Sequence, residues 1–226
     1  MNVFKKSLAV SLAIIITLGL SGCMFQSNKK IMLEHLETKY GKKFEVWHVS
    51  KSGYFPWGGT PFMDCYPKDG NPETDHVKVE MSPDKTHIKD GYFGILIRED
   101  VEADVLAYLS DFSLPMKVYY GRSDYYDNIF DGTKTYADYK EWDNEGSGFT
   151  KRLDVTFAVP MDGTDPSKKE EYADQIFDKL EQNGFYSSIT VRFYPSEVFE
   201  KITRANFIDL YKVRYEYALF SKIINR

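Results

Sequence analysis

Residues 152–194 decide the fold of this protein. They read RLDVTFAVP (152–160), MDG, TDPSKKEEYADQIFDKLEQNGF (164–185) and YSSITVRFY (186–194). The first and last segments alternate apolar and polar residues, which is typical of half-buried β-strands. The long middle segment has the apolar spacing of an amphipathic helix. The stretch therefore predicts a strand–helix–strand unit.

The helix of this unit carries start and stop signals. Asp165 is expected to cap it, Pro166 suits its first turn, and Gly184 is expected to end it. One face is predicted to hold Tyr172, Ile176 and Leu180. In the strand before it, alternation predicts two faces: Leu153, Val155, Phe157 and Val159 inward, and Asp154, Thr156 and Ala158 outward.

A similar pattern precedes this unit. The run Tyr92–Ile97 is predicted as a strand and MKVYYG (116–121) as another. Between them a helix is expected, because four apolar residues lie on one stripe: Val101, Val105, Leu109 and Phe112. The chain thus predicts two strand–helix–strand units that are alike in pattern, without a repeated sequence.

The first ninety residues predict a leading helix followed by antiparallel strands. Met32, Leu36 and Tyr40 recur every four residues, and Gly41 is expected to stop that helix. Turn-rich segments separate the runs that are predicted as strands: Phe44–Val49, Phe62–Tyr66 and Val77–Met81.

The tail predicts a short helix at Glu197–Thr203 and, from its alternation, a final strand at Tyr211–Leu219, with a helix as the alternative for the latter. The predicted fold class is α+β: a mostly antiparallel sheet with a leading amphipathic helix and two strand–helix–strand units. Residues 28–226 are expected to form one globular domain, or two packed halves divided near residues 121–150.

The N-terminus has the pattern of an export signal. Lys5 and Lys6 precede an apolar run from Leu8 to Leu20. Thirteen helical residues span about 20 Å, well short of the roughly 30 Å hydrocarbon core of a membrane. A basic start, a short apolar run and small residues before a cleavage point are typical of a signal peptide.

The end of that run, LSGC (20–23), resembles the lipobox of bacterial lipoproteins, in which an apolar and two small residues precede one cysteine. The resemblance implies lipidation of the Cys23 thiol, with acyl chains such as palmitate, and cleavage after Gly22. Residues 1–22 are then the signal peptide and residues 23–27 a short tether. The expected location is the cell membrane, with the chain lipid-anchored on the extracytoplasmic face.

Two further segments, LEHLETKYGKKFEV (33–46) and CYPKDGNPETDHVKV (65–79), are similar to segments of small lipoproteins of Gram-positive bacteria. Lysine outnumbers arginine in the chain, which favours the same source. That group has no known activity, so the resemblance implies a location and no chemistry.

Composition and motifs argue against several classes of function. The net charge is −5, which disfavours binding to nucleic acid. The sequence lacks the common hydrolase, metalloprotease, phosphate-loop and dithiol motifs. We therefore predict no catalytic residues, no cofactor and no metal ligands. Cys65 has no partner once Cys23 is lipidated, and it is expected to be a half-buried strand cysteine, with a reactive thiol as the alternative.

The most unusual composition lies between residues 119 and 148, where aromatic rings alternate with acids. Tyr and Trp are enriched at protein interfaces, and aromatic faces beside carboxylates also suit sugars. Packing between two halves of the domain is the other explanation. The candidate partner surface comprises Tyr119, Tyr120, Tyr125, Tyr126, Tyr136, Tyr139 and Trp142.

The same segment has partial calcium-loop spacing. Asp127, Asp131, Gly132 and Asp138 match positions of an EF-hand loop, but Ile129 stands where an oxygen ligand is required. A shorter acidic stretch, MDGTDP, follows at residues 161–166. These departures argue against a calcium site.

Charge is also uneven along the chain. Residues 28–43 hold five lysines against Glu34 and Glu37. Because the tether is short, the leading helix is expected to lie near the lipid headgroups, where lysines are attracted if the lipids are anionic. Solubility of a helix surface is the alternative explanation.

Two classes of function stay open. The first is a membrane-tethered extracytoplasmic binding or accessory module for a protein or a cell-wall component. The alternative is a hydrolase-like or ligand-sequestering lipoprotein whose site is built from dispersed residues. The membrane, through lipidated Cys23, is the partner that both classes share.

Lipidation can be tested directly. We expect Cys23→Ala to remove the acyl mass from the protein and to leave it uncleaved or released, because the thiol that forms the thioether is lost. Mass spectrometry and detergent phase partitioning would measure this. A variant that still carries lipid and partitions normally would contradict the lipobox interpretation.

Overall fold

The computed structural model describes residues 28–52, 59–121, 130–144, 153–162, 166–185, 187–207 and 219–224. The chain divides into two compact units, Met1–Asp90 and Gly91–Arg226. This boundary differs from the predicted division near residues 121–150, which lie inside the second unit.

The first unit contains a leading helix and one antiparallel sheet. Helix α1 spans residues 28–40. The sheet has the order β1-β2-β3-β4, and all of its pairings are antiparallel. Its strands are β1 (Phe44–Ser52), β2 (Thr60–Pro67), β3 (Val77–Met81) and β4 (Ile88–Asp90).

The buried apolar residues of the first unit lie on one side of α1 and on one face of this sheet. Met32, Leu36 and Tyr40 are buried on α1, as their spacing predicts. Alternate residues of β2 and β3 are buried, with the partly exposed residues between them. The predictions of the leading helix and of the first three strands are thus confirmed. Strand β4 was not predicted, because three residues are too few to show alternation.

The second unit has a mixed sheet of order β5-β6-β7-β8, in which only the pairing of β6 with β7 is parallel among the described strands. Its strands are β5 (Lys117–Gly121), β6 (Leu153–Pro160), β7 (Ser187–Tyr194) and β8 (Leu219–Ile223). The helices of this unit are α2 (Tyr92–Leu96), α3 (Arg98–Tyr108), α4 (Tyr136–Asn144), α5 (Pro166–Gln182) and α6 (Ser196–Phe199). Residues 204–207 form a further helical turn.

The unit β6–α5–β7 confirms the prediction from residues 152–194. Ile176 and Leu180 of α5 are fully buried, and Tyr172 packs against the same core. The expected cap Asp165 lies outside the described residues. Gly184 follows the last helical residues and has a φ of +71°. Its amide donates to the carbonyl of Glu181, and the amide of Phe185 donates to the carbonyl of Leu180, so these two bonds close the end of the helix.

The prediction of a strand at Tyr92–Ile97 is wrong, because these residues form α2 and the turn into α3. A short apolar run does not by itself distinguish a strand from a buried helix. The stripe that decides between them starts earlier than expected: buried residues recur every four positions, at Phe93, Ile97, Val101, Val105 and Leu109. The first predicted unit is therefore helix–helix–strand.

The second sheet is covered on both faces. The inward residues of β6 lie in the main core, as predicted. Ala158, predicted to point outward, is also buried, in a second cluster with Tyr194, Phe199 and Ile202. The helix expected at Glu197–Thr203 is α6, which spans only Ser196–Phe199. Of the predicted strand Tyr211–Leu219, residues 211–218 lie outside the described residues, and β8 begins at Leu219.

A backbone test follows from the end of α5. We expect Gly184→Ala to destabilise the protein by about 1–2 kcal/mol, because a Cβ disfavours the left-handed conformation. Space is not the obstacle, since a Cβ at this position meets nothing within 4 Å. Gly184→Asn is the matched control and should cost less, because Asn tolerates positive φ. Urea unfolding followed by circular dichroism would measure both, and equal losses would contradict the backbone explanation.

Candidate functional site

The aromatic segment predicted as a partner surface is largely interior in the described residues. Tyr120, Tyr136 and Tyr139 are 3–6% exposed and belong to the main core of the second unit. Trp142 is half-buried against the same core, and Tyr119 is half-buried against the second cluster. Tyr125 and Tyr126 lie outside the described residues.

Phe130 organises this packing. Its ring stacks on Phe93 at 4.5 Å between centroids and meets Trp142 edge to face at 4.9 Å. Tyr136 donates its hydroxyl to Asp104 at 3.1 Å, and burial, with the charge of Asp104, raises the pKa of Tyr136. Most of the described rings of the candidate surface therefore serve the core.

The acids of this segment bind their own backbone. Asp131 accepts hydrogen bonds from the amide and hydroxyl of Thr133 at 2.8 and 2.6 Å. Asp138 accepts the amide of Thr135 at 2.8 Å, and Thr135 accepts the amide of Asp138 at 3.3 Å, a capping box at the start of α4. Asp127 lies outside the described residues. Within the described ranges, no three His, Cys, Asp or Glu residues lie close enough to hold a metal ion.

Cys65 is a buried cysteine on β2. Burial, with the negative charges of Asp90 and Asp64, raises the pKa of Cys65 to about 12. A thiol that stays protonated at neutral pH is a poor nucleophile. The prediction of a strand cysteine is confirmed, although the residue is fully rather than half buried.

A buried carboxylate joins α1 to β4 in the first unit. The side chain of Asp90 is 0% exposed, and it accepts bonds from Lys39 Nζ at 2.8 Å and from Tyr40 Oη at 2.7 Å. His35 Nε2 lies 3.7 Å from the same carboxylate. Burial alone would raise the pKa of Asp90, but His35, Lys39 and Tyr40 outweigh it and hold that pKa below its usual value.

This arrangement changes the interpretation of the basic leading helix. Lys39 forms an ion pair with Asp90, and its side chain is only 9% exposed. Lys30 pairs with Glu34, Lys42 with Asp69, and Lys43 with Glu37. Four of the five lysines therefore have acidic partners within the first unit, but only Lys39 is buried with its partner and so withdrawn from the surface.

The most exposed large apolar side chain in the described residues is Trp47, at 54%. It sits in β1 at a β-bulge, where the register with β2 passes from Val46↔Cys65 to His48↔Asp64 and leaves Trp47 as the extra residue. Sequence analysis missed it because a strand pattern assumes strict alternation, and the bulge breaks that alternation.

Trp47 forms an aromatic ridge with Tyr66 and His76. Its ring lies 6.1 Å from the Tyr66 ring, edge to face, and 5.7 Å from the His76 ring. Tyr66 donates its hydroxyl to Glu45 at 2.9 Å, and this bond raises the pKa of Tyr66. His76 Nδ1 is 3.1 Å from the carbonyl of Pro72. The ridge thus offers one exposed ring, held by partly buried neighbours, beside a carboxylate.

His48 and His87 lie at other positions in the first unit. His48 lies with its ring 6.5 Å from Phe62, on the sheet face that carries the ridge. His87 lies in the turn before β4, where its amide donates to Ser82 at 3.0 Å. The described histidines are therefore distributed over separate places in the first unit.

A pocket of about 480 Å³ lies in the second unit, at the carboxyl ends of β6 and β7. Asp162 is its acidic group nearest β6, but the carboxylate accepts the Ser196 amide at 2.8 Å, and Ser196 thereby lowers the pKa of Asp162. The acid is therefore engaged at the start of α6. The lining residues are Leu114, Pro115, Pro160, Met161, Asp162, Ser196 and Glu200.

Comparison of the chain with protein-family models, with curated proteins and with solved structures found no match. Among the residues that the structure describes, no helix combines the length and the apolar character needed to cross a membrane.

Asp90 supplies a stability prediction. Asp90→Asn should destabilise the protein by about 3–5 kcal/mol at neutral pH, because it leaves Lys39 buried without its counter-charge. Since the folded-state pKa of Asp90 lies below the unfolded value, this stabilisation is present above about pH 4 and is lost as pH falls through the folded-state pKa. Urea unfolding at pH 7 and pH 3 would show the wild-type advantage shrinking in acid.

The control for this prediction is the double variant Asp90→Asn, Lys39→Met. Removing both charges should recover part of the lost stability, because no unpaired ion stays buried. A double variant that is less stable than Asp90→Asn would show that Lys39 contributes through packing rather than through its charge.

Proposed function

We propose that this protein is an extracytoplasmic lipoprotein, anchored in the cell membrane through Cys23, that acts as a binding or accessory module for a protein or a cell-wall component. The anchor rests on the sequence alone, on the signal-like residues 1–22 and the lipobox at residues 20–23. The binding role rests on the exposed ring of Trp47.

Trp47 supports a binding role because its ring is exposed while the strand that carries it is paired and its neighbours pack against it. The ring sits on a paired strand, and Tyr66 and His76 hold it from the side. Tryptophan carries a large contact area at little conformational cost and is frequent among residues that dominate binding energy. A half-exposed tryptophan held by its neighbours is therefore a better candidate contact than the buried Tyr120, Tyr136 and Tyr139.

The hydrolase-like alternative has less support from the described residues. Cys65 is buried with a raised pKa, and the carboxylates of Asp90 and Asp162 are engaged by Lys39 with Tyr40 and by Ser196. The two carboxylates are thus held by structural hydrogen bonds, and the thiol is a buried strand residue. The binding module is therefore the function that the geometry favours.

Cross-linking on intact cells tests the proposal. The full-length wild-type protein is expected to yield cross-links to a protein or to cell-wall material, and Trp47→Ala should lower that yield more than about tenfold, the scale of losing one dominant interface residue. Leu106→Ala is the matched control, since Leu106 is an exposed apolar residue (40%) on α3 of the second unit. Equal yields from wild type and Trp47→Ala would contradict this use of the ridge.

A further inference from the structure

We infer that the ridge of Trp47, Tyr66 and His76 is a stacking site for a neutral glycan, such as the sugar backbone of a cell wall. This inference rests on the proposed function and names the ligand class for the same surface. It is carried by the shape of the ridge, by the scarcity of apolar area around it and by the charges that flank it.

The shape of the ridge suits a flat ring. Trp47 is about half exposed, and the Tyr66 and His76 rings pack against it with interplanar angles of 79° and 43°, so the indole is held by two neighbours while part of its surface stays open to a ligand. An aromatic face carries partial negative charge. The C–H bonds on one face of a pyranose ring carry partial positive charge and pack onto it, as an edge does in an aromatic pair.

Among the residues that the structure describes, little clearly exposed apolar surface accompanies Trp47. The large hydrophobic residues that are clearly exposed in the described parts of the chain are Trp47, Leu96, Leu106 and Ile223, and Trp47 alone of these belongs to the first unit. A stable protein interface buries about 800 Å² on each side around an apolar centre. One clearly exposed ring, with partly buried rings and charged side chains beside it, fits a ligand that combines stacking with hydrogen bonds.

The flanking side chains supply those hydrogen bonds. Glu45 pairs with Tyr66 across the strands, on the sheet face of the ridge, and its carboxylate accepts the Tyr66 hydroxyl. A carboxylate has about four acceptor positions, so it can receive sugar hydroxyls in addition to that bond.

The charge on this sheet face selects against a polyanion. Register places Glu45, Asp64 and Glu80 on it, with Lys78 opposite Asp64 and bonded to Glu80, and Lys89 opposite Glu80. The face is therefore weakly acidic, and Glu45 and Asp64 lie nearest to Trp47 in the strand register. Like charges placed together across an interface are unfavourable. A neutral glycan meets this face without that cost, whereas a phosphate-rich wall polymer does not.

The test measures binding of the full-length protein, purified in mild detergent, to three probes: a soluble N-acetylglucosamine hexamer, purified peptidoglycan and poly(glycerol phosphate). We expect binding to the first two and much weaker binding to the third. Trp47→Ala should weaken binding of the hexamer about tenfold, the scale of one aromatic contact. Trp47→Phe should keep most of the affinity, because it keeps an aromatic face.

Leu106→Ala is again the control and should bind as wild type does. Trp47→Gln provides a second variant without the ring if Trp47→Ala folds poorly, as judged by thermal unfolding. Wild-type protein that binds neither sugar probe overturns the glycan assignment, as do ring-free variants that bind equally well. If sugar binding is absent while Trp47-dependent cross-links to a protein persist on cells, the glycan class is wrong and the binding module stands.

Discussion

Side chains along a β-strand point alternately to opposite faces of the sheet, so each sheet must have an apolar layer over at least one face. The two units of this protein meet that constraint differently. In the first, α1 covers one face of the sheet, and the other face keeps partly exposed residues. In the second, buried clusters lie on both faces. The burial of the described aromatic residues at 119–142 and the exposure of Trp47 both agree with this difference.

Because both faces of its sheet are covered, the second unit buries many of its described aromatic residues. Its main core and its smaller cluster draw side chains from helices and strands along most of the unit. Glu102 of α3 accepts the Tyr120 amide of the end strand β5 at 2.7 Å, and Lys117 Nζ lies within 3.3 Å of three carbonyls at the end of α6. Polar side chains thus satisfy backbone groups where strands and helices end.

The first unit uses polar groups differently, because it has fewer layers. One buried carboxylate, Asp90, draws Lys39 and Tyr40 from α1 onto the last described strand of the sheet. The other face, whose described residues on β2 and β3 are partly exposed, carries mixed charges and the ridge around Trp47. One face of this sheet is buried and contributes to stability. The other face is partly exposed and carries the surface that we propose for binding.

Several features could be predicted from sequence because they depend on local chemistry. The spacing of Met32, Leu36 and Tyr40, the alternation of β6 and β7, and the glycines that end α1 and α5 in left-handed conformations all act within a few residues. The α+β class followed from them. The lipid anchor at Cys23 is equally local, and it stays a prediction.

Other features depended on partners far away in the chain. Ala158 became buried because α6 and the residues after it cover the outer face of β6. The segment around Tyr136 became interior through distant contacts as well. The bulge at Trp47 and the lysine that neutralises Asp90 were also beyond sequence reasoning. The helix at residues 92–97 is a different case, because its stripe continues locally into α3 and the prediction began that stripe too late. Sequence alone predicted the α+β class, most of the local elements and several of their ends, and its prediction of a lipid-anchored location stays a prediction. Tertiary packing decided which faces were covered, because coverage is set by contacts between residues far apart in sequence.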